Sequence, residues 1–517
     1  MNRVKQPNIL FIMADQMAAA PLPMYGGKVV QAPHLQSLAG QGVVFDNAYC
    51  NSPICAPSRF SMLSSRLPTR IGAFDNASEF PASVPTLAHY LCDAGYHTAL
   101  VGKMHFIGPD QLHGYEERLV TDIYPADFSW TPNWLAGPAD KPSGINLRNV
   151  TQAGQCVRSL QLDYDDEVAF FARQKLYDLA RRDNERPFFL TVSFSHPHPP
   201  FTITADYWNR YAHDAIDMPL VPPIPVHQRD ALSQWLHVSH GADTTPITAD
   251  QVRNARHAYY GMISYIDDQI GMLLDTLQDC DLAENTVVVF TADHGEMLGE
   301  RGMWYKQNFF EPSVRVPLLI RGACDSRVPA GKRVSQPVAL VDLMPTLLAL
   351  AGGEPEYVDP IDGRSLLELL RNEETGAGSC PVISEYTDMG VIAPARMARD
   401  GVYKLIYTHG YPLQLYHLET DPQEMRNLAN DPAHDNARQR LLQVVLHHWN
   451  PDALYQDILA SQKRRLFLKR VAAASGRFPD WSYQADRDDT RRFVRANGAA
   501  GAKAKARFPF VPSDTGS

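Results

Sequence analysis

The sequence predicts an α/β fold: a large, mainly parallel sheet sandwiched by helices, with a small antiparallel α+β unit behind it. Three observations carry this. Short runs rich in β-branched and aromatic residues (NILFIMA, GVVF, HTALVG, PFFLTVSF, TVVVFTA) alternate with helix-like segments at 164–182 and 252–278. The runs are apolar throughout rather than alternating, as expected of strands buried on both faces. At 517 residues and 44% hydrophobic composition, the chain has enough apolar surface for a large core and more than one domain.

Taken in order, NILFIMA is the first strand and ends at Asp15. The segment CAPSRFSMLSSR fits a helix start: Cys55 lies at or just before the first turn, and Pro57 suits N1 geometry because its missing N–H costs nothing there. HTALVG delivers Lys103 and His105, PFFLTVSF delivers His196 and His198, and TVVVFTA delivers Asp293 and His294, with Lys306 further on. After VDLMPTLLALAGG the pattern changes. A Gly-, Pro- and acid-rich connection over 354–380 leads to short strand-like pieces in CPVISEY, ARMARDGVYKLIYT and PLQLYHLETDPQEMRNLA. Residues 461–517 hold 13 Lys+Arg against 5 Asp+Glu, a locally basic tail too poor in apolar residues to fold alone. The expected division is a catalytic domain over 1–375, a small antiparallel domain over 376–450 and an extension over 451–517 that docks on a partner subunit.

Charge and cysteine usage narrow the function. A net charge of −10 argues against nucleic-acid binding, and no run is long enough to span a membrane. The start, MNRVKQPNILFIMAD, reads as no secretory signal, because its apolar segment is short and ends at Asp15. Seven scattered cysteines without CxxC or zinc spacing read as free thiols in a reducing, cytoplasmic compartment.

In open α/β sheets, ligands sit beyond the carboxyl ends of the strands. Four runs bring carboxylates, imidazoles and lysines to that edge. The oxygens of Asp15 and Asp293 suit a hard divalent cation, and the cation, Lys103, Lys306 and an arginine then suit a multiply charged oxyanion. A helix N-terminus favours an anion and lowers the pKa of a thiol, so Cys55 is a candidate nucleophile facing that site.

Cys55-Ala56-Pro57-Ser58-Arg59 resembles the C-x-P-S-R core of type I sulfatases, in which the cysteine becomes formylglycine. The longer pattern L-T-G-R reads Leu63-Ser64-Ser65-Arg66 here, with serine in place of glycine. The resemblance runs from PNILFIMAD into the small C-terminal unit and implies an alkaline-phosphatase-like fold. It further implies that Asp15, Asp293, His294 and the modified Cys55 bind one divalent metal, Ca²⁺ favoured over Mg²⁺ or Mn²⁺. Gln16 stands where many sulfatases have a second aspartate, and His294 where many have asparagine. By the same resemblance Arg59 fixes the formylglycine hydrate, Lys103, His198 and Lys306 contact sulfate, and His105 serves the hydrate hydroxyl. The implied reaction is covalent: one hydrate hydroxyl attacks sulfur, His198 or a lysine protonates the leaving alcohol, and His105 takes the second hydroxyl's proton as sulfate is expelled. A formylglycine-generating or sulfatase-maturating enzyme is the implied partner, and a homo-oligomer (dimer or tetramer) the implied assembly.

The middle of the chain is most similar to choline sulfatases, through GKMHFIGPDQLHGYEERLVTDIYPADFSWTPNW, LTVSFSHPHPPF, DHGEMLGERGMWYKQNFFEPSVRVPL and SEYTDMGVIAP. This resemblance implies choline-O-sulfate as substrate, with Trp130 and Glu385 forming a trimethylammonium site and Asn76 touching the ester end. An aromatic face beside a carboxylate is the physics such a cation needs. Ile145 stands near the position of an expected histidine and Ala499 near that of an expected acid. Other alkyl or aryl sulfates, and phosphonate monoesters or phosphodiesters handled by relatives in the same superfamily, are the alternatives.

Overall fold

The computed structural model describes residues 6–181, 186–352, 358–371, 380–477, 479 and 481, and the backbone of 507–508. Its core is an eight-stranded sheet built from β1 (Asn8–Ala14), β2 (Val43–Phe45), β3 (His97–Gly102), β4 (Glu117–Arg118), β5 (Phe188–Phe194), β6 (Thr286–Ala292), β7 (Leu318–Arg321) and β8 (Lys332–Val334). The order is β8-β2-β7-β6-β1-β5-β3-β4. The central run β6-β1-β5-β3 is parallel, and β7 is antiparallel to both its neighbours. Every residue of β1, β3, β5 and β6 is buried, which is why these strands read as unbroken apolar runs.

Two groups of helices cover the sheet. In one, α1 (Pro33–Gln41) and α3 (Leu160–Arg181) both pack on α4 (Ala249–Asp279). In the other, α2 (Cys55–Ser64) packs on α5 (Leu343–Ala351). Both long helices begin earlier than the periodicity of their apolar residues predicts. For α4 the reason is a capping box a turn upstream: Thr248 Oγ1 accepts from Gln251 N at 3.2 Å and Gln251 Oε1 accepts from Thr248 N at 2.9 Å. Helix α2 opens at Cys55 itself, so Pro57 is its third residue rather than its first. Proline is still tolerated there, because the first-turn N–H groups have no intrahelical partner.

The smaller sheet is antiparallel and in sequence order: β9 (Val382–Tyr386), β10 (Ala395–Asp400), β11 (Tyr403–Thr408) and β12 (Gln414–His417). It meets the large unit at Asn51, whose carbonyl accepts from Glu385 N at 2.8 Å and whose Nδ2 donates to Ile383 O at 2.8 Å. Two helices follow, α6 (Asp435–Leu446) and α7 (Pro451–Ser475). The backbone of Arg507–Phe508 pairs with Arg158–Ser159 of the same chain.

Candidate functional site

The register of the central strands decides what can meet. Ala14 lies level with Phe194 on one side and Ala292 on the other, and Gly102 level with Ser193. The residues after these strand ends therefore emerge along one edge, as expected for Asp15, Lys103, His198 and Asp293. Helix α2 points its first residue at that edge and is pinned there by Arg59. This fully buried side chain donates from Nε to Asp293 Oδ2 at 2.8 Å and from Nη1 to Lys103 O at 2.7 Å and Ser193 Oγ at 2.9 Å. Its Nη2 is buried without a hydrogen-bond partner among the described residues.

Asp15, Cys55, Asp293 and His294 are all buried, with ligand atoms within 4.8 Å of one another. Cys55 Sγ lies 3.2 Å from His294 Nε2, 3.8 Å from Asp15 Oδ1 and 3.8 Å from Lys306 Nζ. His294 Nδ1 lies 3.1 Å from Gly295 O, and a carbonyl only accepts, so Nδ1 carries the proton and Nε2 presents a lone pair to the cluster. Burial pulls the His294 pKa down to about 4, so the ring is neutral, the form that ligates metal. Burial, reinforced by Asp293 and Cys55, pushes the Asp15 carboxyl up to about 7, although Lys103 is ion-paired to it. Asp293 stays well below the usual carboxylate range: burial opposes its ionisation, and Arg59, with Lys103 and the backbone N–H of Gln16, outweighs that. For Cys55, burial is outweighed by Lys103 and Lys306, which bring the thiol down to about 6. Crowded buried acids, a lone pair and a thiol on one point are the donor set of a divalent cation, so the residues present fit the metal.

A cavity opens beside this cluster, lined by Cys55, Asn76, Tyr124, Trp130, His198 and Lys306, with Ile145 and Met389 on its wall. Clefts elsewhere on the surface are larger, so convergent chemistry rather than size singles this cavity out. Asn76 Oδ1 accepts from Ala56 N at 2.9 Å, tying the cavity wall to the first turn of α2. His105 is buried among rings, 5.2 Å from that of Tyr124 and 5.6 Å from that of Trp130. Its side chain interacts with that of Cys55, and burial keeps its pKa below the ordinary value. His196, in contrast, turns away and bonds Asp165 at 2.7 Å.

Glu385 is not brought to the cavity. It sits directly opposite Arg396 in the β9–β10 register, 3.2 Å from Arg396 Nε, and accepts from Thr69 N at 2.9 Å and Thr69 Oγ1 at 3.0 Å. Its carboxylate is satisfied within the small sheet's interface, which corrects the expectation that it faces a ligand. A buried acid next in the chain to the lining residue Met389 is Asp388, which accepts from Asn76 N at 3.0 Å; burial, then Asp75, pushes its pKa up to about 8. Ala499 lies outside the described residues.

Three further residues join the site: Tyr124 and Asp122, which carry no sequence signal of their own, and Gln16, which the sequence marks only as a replaced aspartate. Tyr124 places its hydroxyl 2.9 Å from His198 Nδ1 and its ring 4.0 Å from Lys103 Nζ. Gln16 stays out of the metal cluster; it accepts from Lys306 and donates to buried Glu296, holding the lysine in place. Asp122 accepts from Met104 N at 3.0 Å and His105 N at 2.7 Å, fixing the turn that carries His105.

A family model described as Sulfatase matches residues 7–353, and one described as N-sulphoglucosamine sulphohydrolase, C-terminal, matches 299–449. A choline-sulfatase of Rhizobium meliloti (strain 1021) is 41% identical over 499 residues, covering 95% of this chain and 96% of that protein. The uncharacterized sulfatase YidJ of Escherichia coli (strain K12) is 29% identical over 455 residues, covering 86% and 87%. Among solved structures, the phosphonate monoester hydrolase of Silicibacter pomeroyi superposes with a TM-score of 0.68 at 24% identity, over 86% of this chain and 95% of that one. A 2-O GAG sulfatase, BT1596, does so with 0.63 at 22% identity, over 98% of each. At such identities the likeness concerns the fold alone. A family match over more than half the chain, joined to a relative alike from end to end, makes this chain a member of the sulfatase family, with the alkaline-phosphatase-like fold.

Proposed function

We propose that this sulfatase hydrolyses choline-O-sulfate, using a formylglycine made from Cys55 and one divalent cation. The observation that carries the reading is the setting of Cys55 Sγ, at a buried helix N-terminus, 3.2 Å from His294 Nε2 and 3.8 Å from both Asp15 and Lys306. Asp15, Asp293, His294 and residue 55 would hold the cation, and carboxylate oxygens suit Ca²⁺ ahead of Mg²⁺ or Mn²⁺. When bound, the cation stabilises negative charge on the ester oxygens. Lys103 and Lys306 hold the sulfate oxygens, and the unpaired Nη2 of Arg59 steadies the oxygen on residue 55. His198, oriented by Tyr124, gives its proton to the leaving oxygen, and His105 takes one from the hydroxyl on residue 55. Trp130 supplies the aromatic face for the trimethylammonium, and Asn76 meets the ester end.

The catalytic domain is taken as 1–375, the small antiparallel domain as 376–450 and the extension as 451–517. The protein acts in the cytoplasm as a homo-oligomer after maturation by a formylglycine-generating or sulfatase-maturating enzyme. No helix among the described residues is long and apolar enough to cross a membrane, and the net charge of −10 disfavours nucleic acid. The test is a substrate panel on protein from its own host. Conversion of Cys55 lowers its peptide by about 18 Da, choline sulfate gives the highest kcat/KM against p-nitrophenyl sulfate and phenylphosphonate, and Cys55→Ala abolishes turnover. An unconverted cysteine in active protein, or a preference for the phosphonate, refutes the reading.

A further inference from the structure

Helix α7 lies beyond both family matches, which end at 353 and 449. Three of its side chains nevertheless bond the two loops that carry the cavity-lining Trp130 and Asn76. Gln462 Oε1 accepts from Trp134 N at 3.0 Å. Arg465 donates from Nη1 and Nη2 to the two oxygens of Asp75, each at 2.6 Å, and from Nη1 to Thr131 Oγ1 at 3.3 Å. Lys469 Nζ donates to Ser129 O at 2.7 Å. Spacings of three and four place these residues on one helix face. Gln462 is 2% exposed, Arg465 5% and Asp75 0%. Thr131 and Asp75 are the chain neighbours of Trp130 and Asn76, which line the cavity.

A bidentate guanidinium–carboxylate pair fixes direction as well as distance, and burial removes the water that would compete for it. Asn76 has separate anchors in Ala56 N and Asp388, whereas the 129–134 loop is held from this side by Gln462, Arg465 and Lys469. We propose that α7 is a positioning element of the substrate pocket, with Arg465 the residue that sets Trp130 for the cationic end of the substrate. The proposal rests on the choline-sulfate reading for the identity of that end. It assigns α7 no part in the chemistry at residue 55.

The test uses the full-length, formylglycine-bearing, Ca²⁺-loaded enzyme. Loss of a group that orients a ligating residue costs about 10–100-fold. Arg465→Met is expected to raise KM for choline sulfate by that factor, with kcat changed less than about 3-fold and p-nitrophenyl sulfate, which lacks the cation, little affected. Arg465→Lys, which keeps the charge and loses the fork, lies between. Equal losses on both esters, or an unchanged KM for choline sulfate, overturn the proposal. Should Arg465→Met not fold, Arg465→Lys and the exposed Lys469→Ala carry the test, and an unmoved KM in both overturns it. A wild-type enzyme without preference for choline sulfate refutes the substrate reading instead. The positioning role is then read from KM for the best cationic sulfate ester, and no shift there overturns it.

Discussion

Arg59 offers a test of how the site is held together. The perturbation is Arg59→Met, which keeps the length of the side chain and removes the charge. In the wild type, Arg59 Nε lies 2.8 Å from Asp293 Oδ2 with both side chains fully buried. At an effective dielectric of about 20, unit charges 2.8 Å apart attract by roughly 6 kcal/mol before desolvation is counted. Removing one partner leaves Asp293 charged and buried beside Asp15, and such cuts cost about 3–5 kcal/mol. The bonds to Lys103 O and Ser193 Oγ go with it, so α2 loses its ties to two further strands. With a urea slope of about 3 kcal/mol per molar, the unfolding midpoint falls by about 1–1.7 M. The assay is urea unfolding followed by tryptophan fluorescence, in chelator and again with saturating Ca²⁺. A cation on Asp293 supplies the missing counter-charge, so the loss is expected to shrink when Ca²⁺ is present. A loss below about 1 kcal/mol, out of line with a severed buried pair, refutes the reasoning. So does a loss that Ca²⁺ leaves unchanged.

Two further outcomes follow from groups outside the reacting centre. Glu385→Gln is expected to lower stability by about 1–3 kcal/mol, because buried Arg396 loses its charged partner. KM for choline sulfate should stay within about 2-fold of wild type, and a tenfold rise would restore Glu385 to the pocket. His240 is buried with Nε2 2.6 Å from Gln307 Oε1, and burial lowers its pKa from 6.5 to about 4. Between those values the unfolded chain binds more protons, so its contribution is full above about 6.5 and is lost as pH falls toward about 4, a span of ~3 kcal/mol. Urea midpoints across that window should fall with pH in the wild type and less steeply in His240→Gln; parallel slopes would count against it.

Much of the site is legible in the sequence. Strands buried on both faces must be apolar along their length, so NILFIMA, HTALVG, PFFLTVSF and TVVVFTA announced themselves. A parallel sheet aligns its carboxyl ends, so Asp15, Lys103, His198 and Asp293 had to meet near one another. Cys55 was readable because a helix start has a local pattern, although Pro57 fell two places further into the first turn than its chemistry suggested.

What the sequence by itself determined is thus whatever depends on local periodicity and on a repeated topological rule: the sheet, the helix at Cys55 and the convergence of acids and bases upon it. Only the tertiary structure decided the partners. Glu385 looked free in SEY and is claimed by Arg396 because antiparallel register sets the two face to face. Tyr124 reaches His198, Gln16 reaches Lys306 and Arg465 reaches Asp75 across separations of 74, 290 and 390 residues. The physical reason is that a side chain's pattern along the chain records its burial, whereas its hydrogen-bond partner is chosen by packing between distant elements, which leaves no period to read.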